Sequence, residues 1–374
     1  MVFGDKRRTA WPYRFELLDG LRGLAALVVV LNHLQVVSAM AGQFAVMLFF
    51  VISGYCITAS AEAGRRNGLE FKQFMTRRIR RIYPPYLLAV VFFAVTRIVK
   101  SVISGHNELQ RPILDWVQNL TLTQWVSNLF HPVASPIQNP KLFVVAFWSL
   151  NYEEQFYLVI ALTLVLAIRR GTPLMVPVLL LSIIGMAWNW ILPGNWICGF
   201  FIEYWVHFAL GSCLFFVLSQ YTDLRSRYAF ILLVALLGAA SLGRILIVGI
   251  SDPGKDLRAM TELSFLSVAT LTLFFLRPYS HRISQSAFWR PVSALGTISY
   301  SLYLIHQFNL TLISFVTQHL VPTRSPHFLL ILIQIIFQIA LATLFWQFCE
   351  RPFVPRRLTP VKVTPTVVGD TRLA

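Results

Sequence analysis

The sequence predicts an all-α, polytopic membrane protein of about ten transmembrane helices with both termini in the cytoplasm, and three observations predict it. Of 374 residues, 56% are hydrophobic and only 13% are charged. The apolar residues come in runs near twenty long instead of amphipathic stripes, the length a helix needs to cross a hydrocarbon core of about 30 Å. The basic residues gather between those runs, with a one-sided bias. Lipid offers the backbone no hydrogen-bond partner, so each such run must be a helix.

Breaks at charge, proline and glycine clusters put the spans near 18–39, 43–61, 83–104, 142–168, 173–191, 197–219, 228–248, 260–276, 292–317 and 328–349. Residues 1–17 read as a cytoplasmic segment, 18–349 as the transmembrane domain and 350–374 as a basic cytoplasmic tail. Lys6, Arg7, Arg8 and Arg14 precede a first apolar stretch that lacks a small-residue cleavage site, so it reads as a retained span. With both ends inside, cytoplasmic segments hold 23 of the 32 Lys and Arg, external loops five and the spans four. That asymmetry calls for an even number of spans, orients the protein in a cytoplasmic (inner) membrane, and accounts for the net charge of +16 without nucleic acid. Cys56, Cys198, Cys213 and Cys349 lie in apolar runs with neither CxxC spacing nor histidine companions, so no disulfide or metal site is expected.

The long external connection, 105–141, carries Trp116, Trp125 and four prolines. Asp115, Gln118, Asn119, Gln124 and Asn128 interrupt its apolar stretch, and a span here would invert every later loop. It reads as an interfacial helix at the outer surface, roofing a cavity. An ordered loop with no part in the reaction is the equal alternative.

Ionisable residues within spans are costly, about 2.5–3.5 kcal/mol each at a helix centre, so each needs a reason. Arg22 and His33 stand in the first span. Eleven residues at 3.6 per turn make nearly three turns, so both project from one face, roughly 16 Å apart along the axis. Arginine's planar fork suits phosphate, and histidine can take the proton of an attacking hydroxyl at neutral pH. If Arg22 holds the phosphates of a coenzyme A donor, the thioester at the end of an extended pantetheine arm reaches His33. Each residue also has a plainer reading: Arg22 as a topological anchor, His33 as a hydrogen bond to a neighbouring helix. Asn32, beside His33, is a further site-lining candidate.

A second constellation is FWSLNYEEQFYL, in which Ser149, Glu153 and Tyr157 share a helix face after Trp148. Glu153 can orient the His33 imidazole, bind acceptor hydroxyls, or face a wet vestibule. Adjacent glutamates point apart, so at most one of Glu153 and Glu154 should face the site. Arg77, Arg78, Arg80 and Arg81, beside a helix start at Pro84-Pro85, form a basic surface for anionic phosphates; from charge alone, lipid headgroups are the simpler ligand. Tyr300, Tyr303 and His306 fall in the ninth span, with helix packing the default for the tyrosines. His306, lacking a paired charge, is a weaker base than His33.

Taken together, LDGLRGLAALVVVLNH, FFVISGY, RRIRRIYP, FWSLNYEEQFY, ISYSLYLIH and Glu350 with Pro352 resemble the acyltransferase-3 family of integral membrane acyltransferases, through almost all of the chain. The resemblance implies ten helices, a cytoplasmic acyl-CoA co-substrate, typically acetyl-CoA, with no bound cofactor, and transfer to a hydroxyl of a cell-envelope carbohydrate or lipid-linked glycan. It implies His33 as the catalytic base, Glu153 as the family's glutamate, and Arg22, Arg78 and Arg81 as donor-binding residues. Some relatives carry a soluble hydrolase-like domain after the last span; without it, the chain is expected to complete transfer itself or to hand over to a separate protein. The rival expectation is a secondary transporter or flippase for a lipid-linked sugar, with Arg22, His33 and Glu153 as a relay, although no matched halves are visible.

Overall fold

The computed structural model describes residues 15–66, 71–105, 109–130, 142–191, 199–251, 258–320 and 327–354, with side chains of the ninth expected span described as far as Gln307. It is built of helices: α1 (Leu17–His33), α2 (Ala39–Arg66), α3 (Phe71–Ser104), α4 (Ile113–Thr121), α5 (Gln124–Phe130), α6 (Trp148–Arg170), α7 (Met175–Ile191), α8 (Trp205–Ser219), α9 (Leu224–Ser251), α10 (Arg258–Leu276), α11 (Ser280–Ser284), α12 (Trp289–Leu320) and α13 (His327–Phe345). Each expected apolar run holds one described helix of 15 residues or more. Among the described residues, six helical stretches are long and apolar enough to cross a membrane: Ala39–Arg66, Phe71–Val102, Val145–Arg170, Leu224–Ile250, Arg258–Ser284 and Phe328–Phe353. Helix α1 has 17 residues, α7 17 and α8 15, which is short of a full crossing.

Helix α1 packs most extensively on α12, and α2 on α8. Lipid tails give apolar helices no hydrophobic reason to associate, so close backbone approach has to supply the attraction, and small residues permit it. A Cβ at Gly296 of α12 would lie 1.8 Å from the carbonyl oxygen of Asp19 on α1, and one at Gly211 of α8 would lie 1.8 Å from that of Val51 on α2. Around the second crossing, Phe50, Phe156 and Phe208 stack at centroid separations of 4.3–4.5 Å. Leu232, Leu233, Leu236, Ile247 and Ile250 of α9 stay exposed, a strip suited to lipid.

Three expectations need correction. The first span does not run to residue 39: α1 stops at His33. Val36 N–H donates to Leu31 O and Gln35 N–H to Asn32 O around a left-handed Gln35 (φ 61°), the pattern that closes helices. The apolar Leu34, Val36 and Val37 hide this stop from hydropathy. Pro84 and Pro85 do not start a helix but lie inside α3, which begins at Phe71. The two prolines lack the N–H groups that would bond the carbonyls of Arg80 and Arg81 four residues back, and on the same turn Tyr300 OH donates to the Ile82 carbonyl at 3.0 Å. Among its described residues the 105–141 connection carries two short helices, α4 and α5, joined through a left-handed Leu122 (φ 55°), where one was expected.

Candidate active site

His33 is the last residue of α1, facing α12. Gln307 Nε2 lies 3.3 Å from His33 Nε2, while Gln307 Oε1 accepts from the Ala146 N–H at 3.2 Å. The second bond fixes the amide, so its N–H₂ faces the imidazole and His33 Nε2 carries the lone pair a base requires. The ring of His306 stands beside His33 with centroids 4.8 Å apart. His306 is fully buried and its Nδ1 donates to Tyr303 O at 2.8 Å, leaving Nε2 without a partner among the described residues. Ser149 Oγ donates to Tyr303 OH at 2.7 Å, and that hydroxyl donates to Ala146 O. The turn before α6 is thereby tied to α12 beneath the two histidines.

Glu153 accepts from Ser53 Oγ at 3.1 Å and from Tyr157 OH at 2.6 Å, joining α2 to α6. The group hydrogen-bonded to His33 is therefore Gln307. Tyr303 is in ring contact with His306 and hydrogen-bonded to Ser149, one turn before Glu153 on α6. Both glutamates line one cavity of about 50 Å³ between α3 and α6, with Met75, Arg78, Ile82 and Tyr83, because the cavity straddles two faces of α6. That volume accommodates a few waters. Tyr83 OH donates to Glu154.

The basic residues lie on α1 and α3. Arg78 sits over the rings of Phe74 and Tyr157 at 5.4 and 5.5 Å, and the charges of Arg22, Arg78 and Arg81 all bear on Cys56 of α2. Arg22 and Arg81 also bear on the buried Glu350, which accepts from Ser301 Oγ at 2.5 Å. Arginines from α1 and α3 thus lie within electrostatic range of both Cys56 and Glu350. Of the remaining candidates, Trp148 is buried, in edge contact with Phe50, and the Asn32 side chain abuts Gly42 of α2. Among the described residues, no group of three His, Cys, Asp or Glu is arranged to hold a metal ion.

Comparison with known proteins now bears on this arrangement. The acyltransferase domain family matches residues 15–354. The chain belongs to that family. Among its relatives are the peptidoglycan O-acetyltransferase OatA of Listeria monocytogenes serovar 1/2a, 27% identical over 93% of this chain and 57% of the relative, and the O-acetyltransferase OatA of Staphylococcus aureus NCTC 8325, 27% identical over 90% of this chain and 56% of the relative. The chain therefore spans just over half the length of the relatives it matches. No solved structure matches it.

Several polar groups of this acyltransferase-family chain escape a reading by hydropathy. Gln307 and Ser53 are neutral and carry no signal. Glu203, His207 and Glu262 are ionisable and lie in apolar runs, so the rule that picks out Arg22 and His33 applies to them as well. His207 Nε2 lies 3.4 Å from Glu262 Oε2, both residues are buried, and Gln43 Nε2 donates to Glu262 Oε1 at 3.0 Å. Tyr152 OH donates to Glu203 and accepts from the Gly199 N–H. This tract crosses α2, α6, α8 and α10. It begins at Gln43, next to the Gly42 that touches Asn32, and so lies close to the end of α1.

Proposed function

We propose that the protein is a membrane O-acyltransferase, moving an acetyl group from cytoplasmic acetyl-CoA to a hydroxyl of a cell-wall carbohydrate, across ten spans with both termini inside an inner membrane. One observation carries the reading beyond the family: the charges of Arg22, Arg78 and Arg81 all act on Cys56 of α2, and His33 ends α1 three turns beyond Arg22.

In this reading the arginines bind the phosphates of the donor, and the pantetheine arm runs along α1 toward His33. The acceptor hydroxyl displaces Gln307 from His33 Nε2. His33 takes the hydroxyl proton as the oxygen attacks the thioester carbon; the C–S bond then breaks, and the proton passes to the departing thiolate. Released from the imidazole, the Gln307 amide donates to the developing oxyanion. Glu153, held by Ser53 and Tyr157, receives acceptor hydroxyls in the α3–α6 cavity. The relatives' printed names support O-acetylation and a peptidoglycan acceptor.

The test incubates purified protein with radiolabelled acetyl-CoA and a cell-wall extract, and identifies the labelled product by mass spectrometry. Labelled carbohydrate ester with release of free thiol is expected, and His33→Ala should abolish both while the protein remains folded in the membrane. Full activity in that variant would refute the mechanism.

A further inference from the structure

Helix α4 is inside out by the standard of a soluble protein. Ile113, Leu114, Val117 and Leu120 are 83, 57, 51 and 41% exposed, whereas Gln118 and Asn119 are buried. Helix α5 continues the pattern, with Gln124, Ser127 and Asn128 buried and the terminal Phe130 exposed. An outward apolar face suits lipid, so these helices turn their amides inward.

Some of those amides have conventional structural work. Asn119 Oδ1 accepts from the Phe143 N–H at 3.0 Å, and Gln118 Nε2 donates to Ser127 Oγ at 2.5 Å. Others have none. Among the described residues, Gln118 Oε1 and both polar atoms of the fully buried Gln124 have no hydrogen-bond partner. A buried amide left so is destabilising, and one segment carries three such atoms within seven residues.

The segment is also coupled to the reaction machinery. Tyr83 OH meets both the Thr121 carbonyl at the end of α4 and Glu154 in the cavity. At the other end, Trp125 and Asn128 abut Gly199, whose N–H meets Tyr152 OH beside Glu203. Amides offer donors and an acceptor together, which matches the hydroxyls of a sugar; Trp125 adds a flat apolar surface, and the half-buried Asp115 is the one charged side chain of α4 and α5.

We infer that the inner face of α4 and α5 is an acceptor-recognition surface for a polyhydroxylated glycan chain, with the Gln124 amide and Gln118 Oε1 as its direct hydrogen-bonding groups. This rests on the reading above that the acceptor is a carbohydrate. Recognition stabilises the bound acceptor at the expense of the empty protein, because the amides are satisfied only when hydroxyls meet them.

The test measures steady-state kinetics of the full chain in nanodiscs, with acetyl-CoA and soluble peptidoglycan glycan oligomers stripped of peptide. Gln124→Leu should raise KM for the glycan tenfold or more and leave KM for acetyl-CoA unchanged. Its thermal midpoint should equal or exceed that of wild type, since leucine removes an unpartnered amide at similar volume. Gln124→Asn, which keeps the amide, should lie between. Wild-type glycan KM in both Gln124→Leu and Gln118→Leu would overturn the inference, as would a lowered midpoint with both KM values rising together. If wild type acetylates no glycan, the carbohydrate-acceptor reading fails and the inference with it; acetylation by wild type with indifferent variants sinks the inference alone.

Discussion

Replacing Gly211 by alanine adds one methyl group to α8, and the structure supplies the cost. The new Cβ would lie 1.8 Å from the Val51 carbonyl oxygen and 2.8 Å from the Tyr55 nitrogen, both backbone atoms of α2. A carbon needs about 3.3 Å from such an oxygen, so the helices must part by about 1.5 Å at this point. Two turns of α2 on, Thr58 Oγ1 and Ser212 Oγ share a fully buried hydrogen bond of 2.7 Å, which that separation would break. Losing the bond and leaving its partners dry costs about 1–3 kcal/mol, and overpacking adds about the same. Gly211→Ala should therefore destabilise by about 2–5 kcal/mol. Gly243→Ala is the control: this α9 glycine faces open space, and alanine there should stabilise by up to about 1 kcal/mol. Equilibrium unfolding in mixed detergent micelles measures both. A Gly211→Ala protein within 0.5 kcal/mol of wild type would refute the close helix contact.

Two further expectations concern the polar groups. Gln307→Ala should lower kcat about 10- to 100-fold and leave KM for acetyl-CoA near wild type, because the amide both orients His33 and serves the oxyanion; a rise in donor KM at constant kcat would move Gln307 to the binding of coenzyme A. For the buried pair on α8 and α10, either His207→Leu or Glu262→Leu alone should destabilise by about 3–5 kcal/mol, whereas the double variant should recover most of that loss. Additive losses in the unfolding measurement would show that the two side chains are not coupled.

Hydropathy was enough to find the long helices among the described residues, because burial in lipid imposes a run of apolar residues that no other constraint mimics. Charge in an apolar run was likewise enough to single out Arg22 and His33, since a membrane makes such residues expensive. Gln307 lies 274 residues from His33 along the chain and is electrically neutral, so nothing local announces that it meets the imidazole. The end of α1 at His33 was equally silent, being made by backbone hydrogen bonds around a left-handed glutamine in an apolar stretch. Whether Glu153 and Glu154 face one cavity depended on where α3 lies across α6, and the polar inner face of α4 and α5 on how that segment docks.

The composition of this chain thus carries its class, its helices and the identity of its costly residues, because each of these answers to the solvent around it. Which of those residues meet is set by helix-to-helix registry, through glycines that let backbones touch at α1–α12 and α2–α8. Registry depends on the complementary surface of a distant segment, and only the tertiary structure brings the two surfaces together.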